Sequence, residues 1–556
     1  MRVHPLRLAV VAVVAVMVLA PLGLVMYQSF LNAPFFSPVA KVGWSAYRFV
    51  LADSDFHLAC RTSAIIAFGM VSISMPLGGI LAFLIVRTDL PGRRWMEPFL
   101  LIPIFLSPVV LAFGYVVAVG PVGFFSLWVK NLLGVVPWNL YSVTGLVLIA
   151  GLTHVPHVYL YTASALKSLN PELEEVARSA GAGVWRVALT VSLPLVAPAL
   201  IFSGVLVFFL GFELFGLPLV LGDPGGILVL TTYLYKLTNL LGTPSYHLMA
   251  VVAMTIIAVT LPLVYLQRHL LRYVSRYVTM GGKGLAARPL PLGRFRWIAL
   301  AIVLVWFAIT VFVPLSGVFL RSVVSVWGEG VKLTEVLTLH HFQDLMDYPN
   351  LIRGVINTLV IATIGGALAV AFYAVIALAL HRWQGRGAMV LDYLVMTPRA
   401  LPGLIAGLAF LWIFLFYKPL APLRSTLVSL WIAYTVVWMA YGLRVISAAL
   451  YQVGPELEEA ARIAGASVGR VYRDVTLPLI RFGLLSSWLL IFMIFCREYS
   501  TGVYLLGPNT EVIGSLIVSL WGTGALDLIA ALSVINVLLI GVGITLALRL
   551  GVRLHA

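Results

Sequence analysis

Six glutamates in two clusters are the residues whose type and spacing could do chemistry. Glu172, Glu174 and Glu175 follow Pro171, and Glu456, Glu458 and Glu459 follow Pro455. The offset is a constant 284 residues (Pro171 to Pro455, Pro194 to Pro478). Each cluster runs on through an arginine, Arg178 or Arg462, to Gly181 or Gly465. Neither holds the histidine or nucleophile that general acid–base or covalent catalysis needs. An acidic patch that occurs twice and has no catalytic partner reads as a docking element.

Other ionisable groups sit inside apolar sequence, where a charge is expensive and functional by default. Glu213 lies in one long apolar run, and Arg497 and Glu498 lie in another. The same offset carries position 213 to 497. These three are candidates to line or gate a path, with a local ion pair as the alternative. His154 and His157, at i and i+3, share a helix face. A metal pair is conceivable, but the corresponding residues are Trp438 and Tyr441, which excludes a symmetric metal site and favours packed, hydrogen-bonded histidines. His340 and His341 stand near Glu329, Glu335, Asp344 and Asp347; a solvated loop that meets a partner is favoured there over a metal site. No metal ligand set, bound cofactor or catalytic group is expected.

The elements that must position these residues follow from composition. Hydrophobic residues make up 61% of the 556 and charged residues 10%, with a mean hydropathy of +1.04. That excludes a soluble globular chain and predicts an all-α polytopic membrane protein. A bilayer core takes about 20 apolar residues per helix. Runs at about 8–30, 62–86, 99–119, 142–165, 195–221 and 246–266, then 297–320, 355–380, 390–416, 425–448, 479–506 and 527–549, give about 12 transmembrane helices in two six-helix halves. The N-terminal run is long enough to span and reads as an uncleaved first helix.

The division is 1–280 for the first half, 281–296 for a basic linker and 297–556 for the second half. Arg2, Arg7, Arg87, Arg93, Arg94 and the acid-free stretch from Arg268 to Arg296 fall on one side. By the positive-inside rule that side, with both termini, is cytoplasmic. The net charge of +15 therefore reflects orientation, and no nucleic-acid partner is expected. Gly282-Lys283 is not a phosphate loop, since Gly284 and Tyr277 occupy the places that such a loop gives to Ser or Thr and to glycine. Two distant cysteines, Cys60 and Cys496, make no disulfide framework.

Each acidic stretch encodes a short helix. Asn170 suits the N-cap, Pro171 or Pro455 the first helical position, the glutamates the positive end of the dipole, and Gly181 or Gly465 the C-terminal stop. Leu173, Val176, Ala177 and Ala180, or Leu457, Ala460, Ala461 and Ala464, make a narrow face of mostly small side chains opposite the charged one. Such a helix cannot span a membrane. Two copies in halves of the same orientation, related by an axis along the membrane normal, present equivalent handles to a two-fold partner. Prolines 103 and 108, echoed by 398 and 402, predict kinked or unwound spans.

The spacing Glu175-Val176-Ala177, Gly181 and Val191-Ser192-Leu193-Pro194, with Glu459-Ala460-Ala461, Gly465 and Val475-Thr476-Leu477-Pro478, resembles the EAA loops of binding-protein-dependent ABC importer permeases. These loops lie at about 170–194 and 454–478. The resemblance implies the type I importer transmembrane fold, with the halves related by a pseudo-two-fold axis. It implies that the loops are coupling helices, with Glu172, Glu174, Glu175, Ala177, Gly181, Glu456, Glu458, Glu459, Ala460, Ala461 and Gly465 at the ATPase contact. It also implies two copies of a cytoplasmic ABC ATPase, which bind ATP and Mg, and a periplasmic substrate-binding protein. The chain itself would then be a transport subunit of the bacterial inner membrane and not an enzyme.

Stretches such as Gly225-Gly226-Ile227-Leu228-Val229-Leu230-Thr231-Thr232 and Arg497-Glu498-Tyr499-Ser500 resemble the iron(III)-type branch of fused permeases. Sugar phosphate, phosphonate, thiamine and polyamine are the alternative substrates. An ion-coupled secondary transporter is the less favoured class.

Overall fold

In lipid every backbone N–H and C=O must be satisfied within the segment, so long apolar runs fold as helices. The computed structural model describes residues 5–239, 244–277 and 289–550, so linker residues 281–288 lie outside the described ones. Among the described residues the chain is helical, with three isolated bridges in place of strands.

In chain order the helices used below are α1 (Pro5–Ser29), α2 (Ser54–Arg87), α3 (Pro108–Val119), α4 (Val143–Ser168), α5 (Glu172–Ser179), α6 (Leu193–Glu213), α7 (Leu230–Asn239) and α8 (Tyr246–Tyr277). After the linker come α9 (Arg296–Phe307), α10 (Val313–Ser322), α11 (Pro349–Val360), α12 (Gly366–Leu380), α13 (Arg386–Met396) and α14 (Gly403–Phe416). The last six are α15 (Leu427–Val437), α16 (Met439–Tyr451), α17 (Pro455–Ile463), α18 (Arg481–Arg497), α19 (Ile513–Thr523) and α20 (Leu526–Arg549).

Nine helical stretches among the described residues are long and apolar enough to cross a membrane, or twelve if each of three bent pairs counts as one span. The bent pairs lie where the sequence removes backbone donors or crowds the helix. Between 386–399 and 403–416 the bend is 104°, at Pro398 and Pro402; between 468–479 and 481–497 it is 69°, beside Pro478. The third, 59° between α15 and α16, falls at Trp438, with no proline at the break.

Two expected spans are shorter than their apolar runs. The helix through 195–221 stops at Glu213, and the one through 479–506 stops at Arg497. After Glu213 two non-helical residues, Leu214 and Phe215, lead into a short helical stretch to Gly225 and then α7, whereas after Arg497 irregular chain leads to α19. The first backbone N–H of α7, and that of α19, is accepted by a hydroxyl on the second membrane helix of the same half. Leu230 N donates to Ser63 Oγ (2.9 Å), and Ile513 N donates to Thr358 Oγ1 (2.9 Å). Gly216 with Pro218, and Ser500-Thr501-Gly502, are the breaker signals that an apolar count passes over.

The chain packs as two units, 47–339 and 1–46 with 340–556. These do not coincide with the two sequence halves, because the first helix of each half packs within the unit that holds the rest of the other half. In the unit 47–339, α2 runs along α4, α6 lies on α2, α4 and α8, and α10 crosses α3. That crossing is close because it is made on glycine: a Cβ at Gly114 would strike the Pro314 carbonyl, and one at Gly317 the Gly114 carbonyl. In the other unit α1 packs on α12, α13 and α14, while α12, α16 and α18 pack together and α18 lies on α20. The chain after α1 is fixed there by rings, with Phe35 and Phe36 against Phe416 at centroid separations of 4.6 and 4.2 Å.

Candidate coupling site at the paired acidic helices

In the first copy Asn170 Oδ1 accepts from Glu172 N (3.1 Å), so the side chain caps the opening turn as its type demands. The helix α5 ends in a Schellman turn. Ala182 N donates to Ala177 O (3.1 Å) and Gly181 N to Arg178 O (2.8 Å), with Gly181 at φ +86°. The second copy, α17, opens on Gly454 and Pro455 without a side-chain cap. It closes identically: Ala466 N to Ala461 O (3.0 Å), Gly465 N to Arg462 O (3.0 Å), Gly465 at φ +84°.

The three glutamates of each copy do not share an environment. Glu172, Glu175, Glu456 and Glu459 are exposed, whereas Glu174 and Glu458 are each 4% exposed. Glu174 receives Arg87, the last residue of α2, in a forked pair: Nε lies 3.0 Å from Oε1 and 2.9 Å from Oε2, and Nη2 donates to Oε2 as well. Ser192 Oγ donates to Oε1 at 2.7 Å. Glu458 receives His381 Nε2 (2.9 Å), Arg382 Nε (2.7 Å) and Thr476 Oγ1 (3.2 Å). Arg382 also reaches Val453 O (3.2 Å) and sits at φ +52°, a strained conformation for a residue with a Cβ.

The two sites are thus built alike. A carboxylate on the short helix meets a cation at the end of the second membrane helix and a hydroxyl 18 residues on, since 174 leads to 192 and 458 to 476. The cations differ, a buried Arg87 in one against His381 and a partly exposed Arg382 in the other. Burial alone would push the Glu458 carboxyl up, but the hydrogen bonds and charges of His381 and Arg382 hold it below its usual range. The sequence placed Arg87 only as a mark of orientation and Ser192 and Thr476 only within the loop spacing, and it gave His381 and Arg382 no role. The only local signal was that each basic residue ends an apolar run.

The rest of each short helix faces outward. Leu173 is 44% exposed and Val176 68%, and Leu457 and Ile463 are 50% and 88% exposed. Ala177 and Ala461 are half-buried, while Ala180, Ala460 and Gly465 are exposed. The expected face of Leu173, Val176, Ala177 and Ala180 is therefore split. Its leucine and valine lie outward beside Glu172 and Glu175, and Ala177 turns toward the bundle with Glu174.

The candidate path residues close their helices. Glu213 ends α6 and Arg497 ends α18; both are half-buried. The Arg497 guanidinium lies over the Trp438 ring at 5.7 Å. Glu498 is buried and accepts from Trp438 Nε1 (2.9 Å), Ser500 Oγ (3.0 Å) and Thr501 N (2.9 Å). It therefore fixes the irregular chain beyond α18. The His154 and His157 rings stack at 5.2 Å, and His154 Nδ1 pairs with Ala150 O at 2.7 Å. His340 and His341 both lie on Asp344, at 3.2 and 3.6 Å. Among the described residues no group of three or more His, Cys, Asp or Glu could hold a metal ion.

The family model described as the inner membrane component of binding-protein-dependent transport systems matches twice, over residues 74–276 and 373–555. The chain belongs to this family. Each match contains one of the acidic helices, so the family's single module is present in duplicate, and the all-helical polytopic architecture with two repeats is that of the family's type I importer fold.

Among curated relatives, the ferric transport system permease protein FbpB of Actinobacillus pleuropneumoniae is 25% identical over 81% of this chain and 65% of its own length. The chain thus spans slightly less than two thirds of that relative. The putative ferric transport system permease protein FbpB 1 of Haemophilus influenzae is 25% identical over 81% of this chain and 71% of its own. The molybdenum transport system permease protein ModB of Escherichia coli K12 is 31% identical over 35% of this chain and 85% of its own. Its length corresponds to one family module, where the FbpB relatives match across both.

Proposed function

We propose that this chain is the permease subunit of an ATP-driven importer. The two acidic helices receive two copies of a cytoplasmic ATPase, and the helical units pass a substrate delivered by a periplasmic binding protein. The observation that carries this reading is the duplicated helix itself. Solvent-facing apolar side chains, Leu173 and Val176 on one and Leu457 and Ile463 on the other, stand on helices whose inward carboxylates, Glu174 and Glu458, are each held by an arginine. A cytoplasmic position for these helices and for both termini follows from the basic residues around them.

Iron(III), as transported substrate, is the favoured cargo, supported by the two FbpB relatives that match along 81% of the chain. Relatives named for molybdenum and for putrescine match shorter stretches and mark the alternatives. Glu213, Arg497 and Glu498 are proposed to flank the route, because each stands where a membrane helix gives way to irregular backbone, the kind of place where polar groups line a cavity.

Reconstitution of the chain with its ATPase and binding protein in vesicles tests both parts. ATP-dependent iron(III) uptake is expected. Failure of a soluble ATPase to co-purify would refute the importer reading, and uptake of another ligand of the binding protein would refute iron. Glu213→Gln is expected to lower uptake while ATPase subunits remain bound and active. Unchanged uptake in that variant removes Glu213 from the route.

A further inference from the structure

Each short helix is joined to its bundle by more than the chain that flanks it. In the first copy the only charged side chain directed inward is Glu174, and it meets the end of α2 through Arg87 and the start of α6 through Ser192. In the second copy Glu458 meets the residues after α12 through His381 and Arg382, and the chain entering α18 through Thr476. A motion of the short helix must therefore carry two membrane helices with it, or break a buried charge pair.

A third element reaches the same joints. Leu290 N donates to Arg87 O (2.8 Å), Asp89 N donates to Leu290 O (3.1 Å), and Leu292 N donates to Asp89 Oδ1 (2.8 Å). The chain that leads into α9 is thus tied across the residue bearing the first cation. In the other unit the opening of α1 does the same. Arg7 Nη2 donates to His381 O (3.4 Å), and its guanidinium lies 5.2 Å from the centre of the Trp383 ring. In both cases the strap comes from the chain at or just before the first helix of the other sequence half.

We infer that Glu174 with Arg87 and Ser192, and Glu458 with His381, Arg382 and Thr476, are the positioning residues that transmit motion from the short helices to the membrane helices. The straps Leu290–Leu292 and Arg7 brace the cation-bearing turn of each joint. The exposed glutamates and apolar side chains meet the partner, and the buried glutamate converts that contact into movement of α2 or α12. This rests on the importer reading, since it presupposes a partner that pushes on the helices.

The test uses the whole chain with its ATPase subunits in lipid nanodiscs, comparing the nucleotide-free complex with one locked by ATP on a hydrolysis-deficient ATPase. Hydrogen–deuterium exchange is followed in two places: the short helices, and the ends of α2 and α12. The wild-type complex is expected to change at both. Glu174→Gln is expected to keep the change in α5 and to lose most of it at 80–94, about tenfold, as befits loss of a charged hydrogen-bonded pair. Glu458→Gln should do the same at 374–386.

Ser192→Ala and Asp89→Ala leave the ion pair in place and provide milder versions of the same loss should Glu174→Gln assemble poorly. Glu174→Asp is expected to restore part of the response. Nucleotide-driven changes at 80–94 that persist undiminished in Glu174→Gln, or in both milder variants, would overturn the inference. Absence of any ATPase binding by the wild-type chain would instead overturn the reading beneath it.

Discussion

Replacing Arg87 and Arg382 separately by methionine should expose how differently the two joints are held. Arg87 and Glu174 are 4% and 5% exposed at their side chains, and among the described residues Arg87 is the cation paired with that carboxylate. Arg87→Met leaves a buried charge with one hydroxyl donor, Ser192, and removal of one partner from such a pair costs about 3–5 kcal/mol. Arg382 is 39% exposed, and His381 remains on Glu458 when it is gone. Arg382→Met also keeps a side chain at φ +52°. Its cost is that of a partly solvated pair, about 1 kcal/mol.

The double change Arg87→Met with Glu174→Met removes both charges and should recover most of the single loss, because no unpaired ion is then left buried. The assay is the local opening free energy of the short helices, from amide exchange of α5 and α17 in the detergent-solubilised chain. The expected order is Arg87→Met well above Arg382→Met, with the double variant close to wild type. Equal losses at the two joints, or a double variant as loose as Arg87→Met, would refute the argument from burial.

Two further outcomes follow from the same geometry. Gly181→Ala and Gly465→Ala meet no atom within 4 Å but must hold φ at +86° or +84°; each should destabilise its Schellman turn by about 1–2 kcal/mol, read as faster exchange at Ala182 or Ala466. For pH, the Glu458 carboxyl lies below its ordinary value of 4.5 in the folded chain. A depressed carboxylate contributes stability that is fully present above the unfolded value and lost as pH falls through the folded one. Protection of α17 should therefore be flat in its Glu458 contribution above 4.5 and decline below it; a loss centred above that value would contradict the pairing with His381 and Arg382.

The sequence by itself determined what local chemistry can determine. Continuous apolar runs of about 20 residues had to be helices, since a single segment satisfies its own backbone in lipid only in that form. Proline at 398 and 402 had to interrupt one of them, and the proline, glutamates and glycine of each acidic stretch had to make a short capped helix. The repeat was legible because two copies share one spacing. What tertiary structure alone decided depends on partners far apart in the chain. Glu174 looks like Glu172 and Glu175 until Arg87, 87 residues earlier, turns it inward. Glu458 is set apart by His381 and Arg382 in the same way.

The exchange of first helices between units was equally invisible. Gly114 and Gly317 carry no mark of their close crossing, and apolar surface names no partner. Helix ends at Glu213 and Arg497 escaped an apolar count because the chain beyond them remains hydrophobic. Their breaks are stabilised by hydroxyls, Ser63 and Thr358, that sit on another helix. Local rules fix where a helix can form, and the burial of a charge or a carbonyl, which only packing brings about, fixes which residues act together.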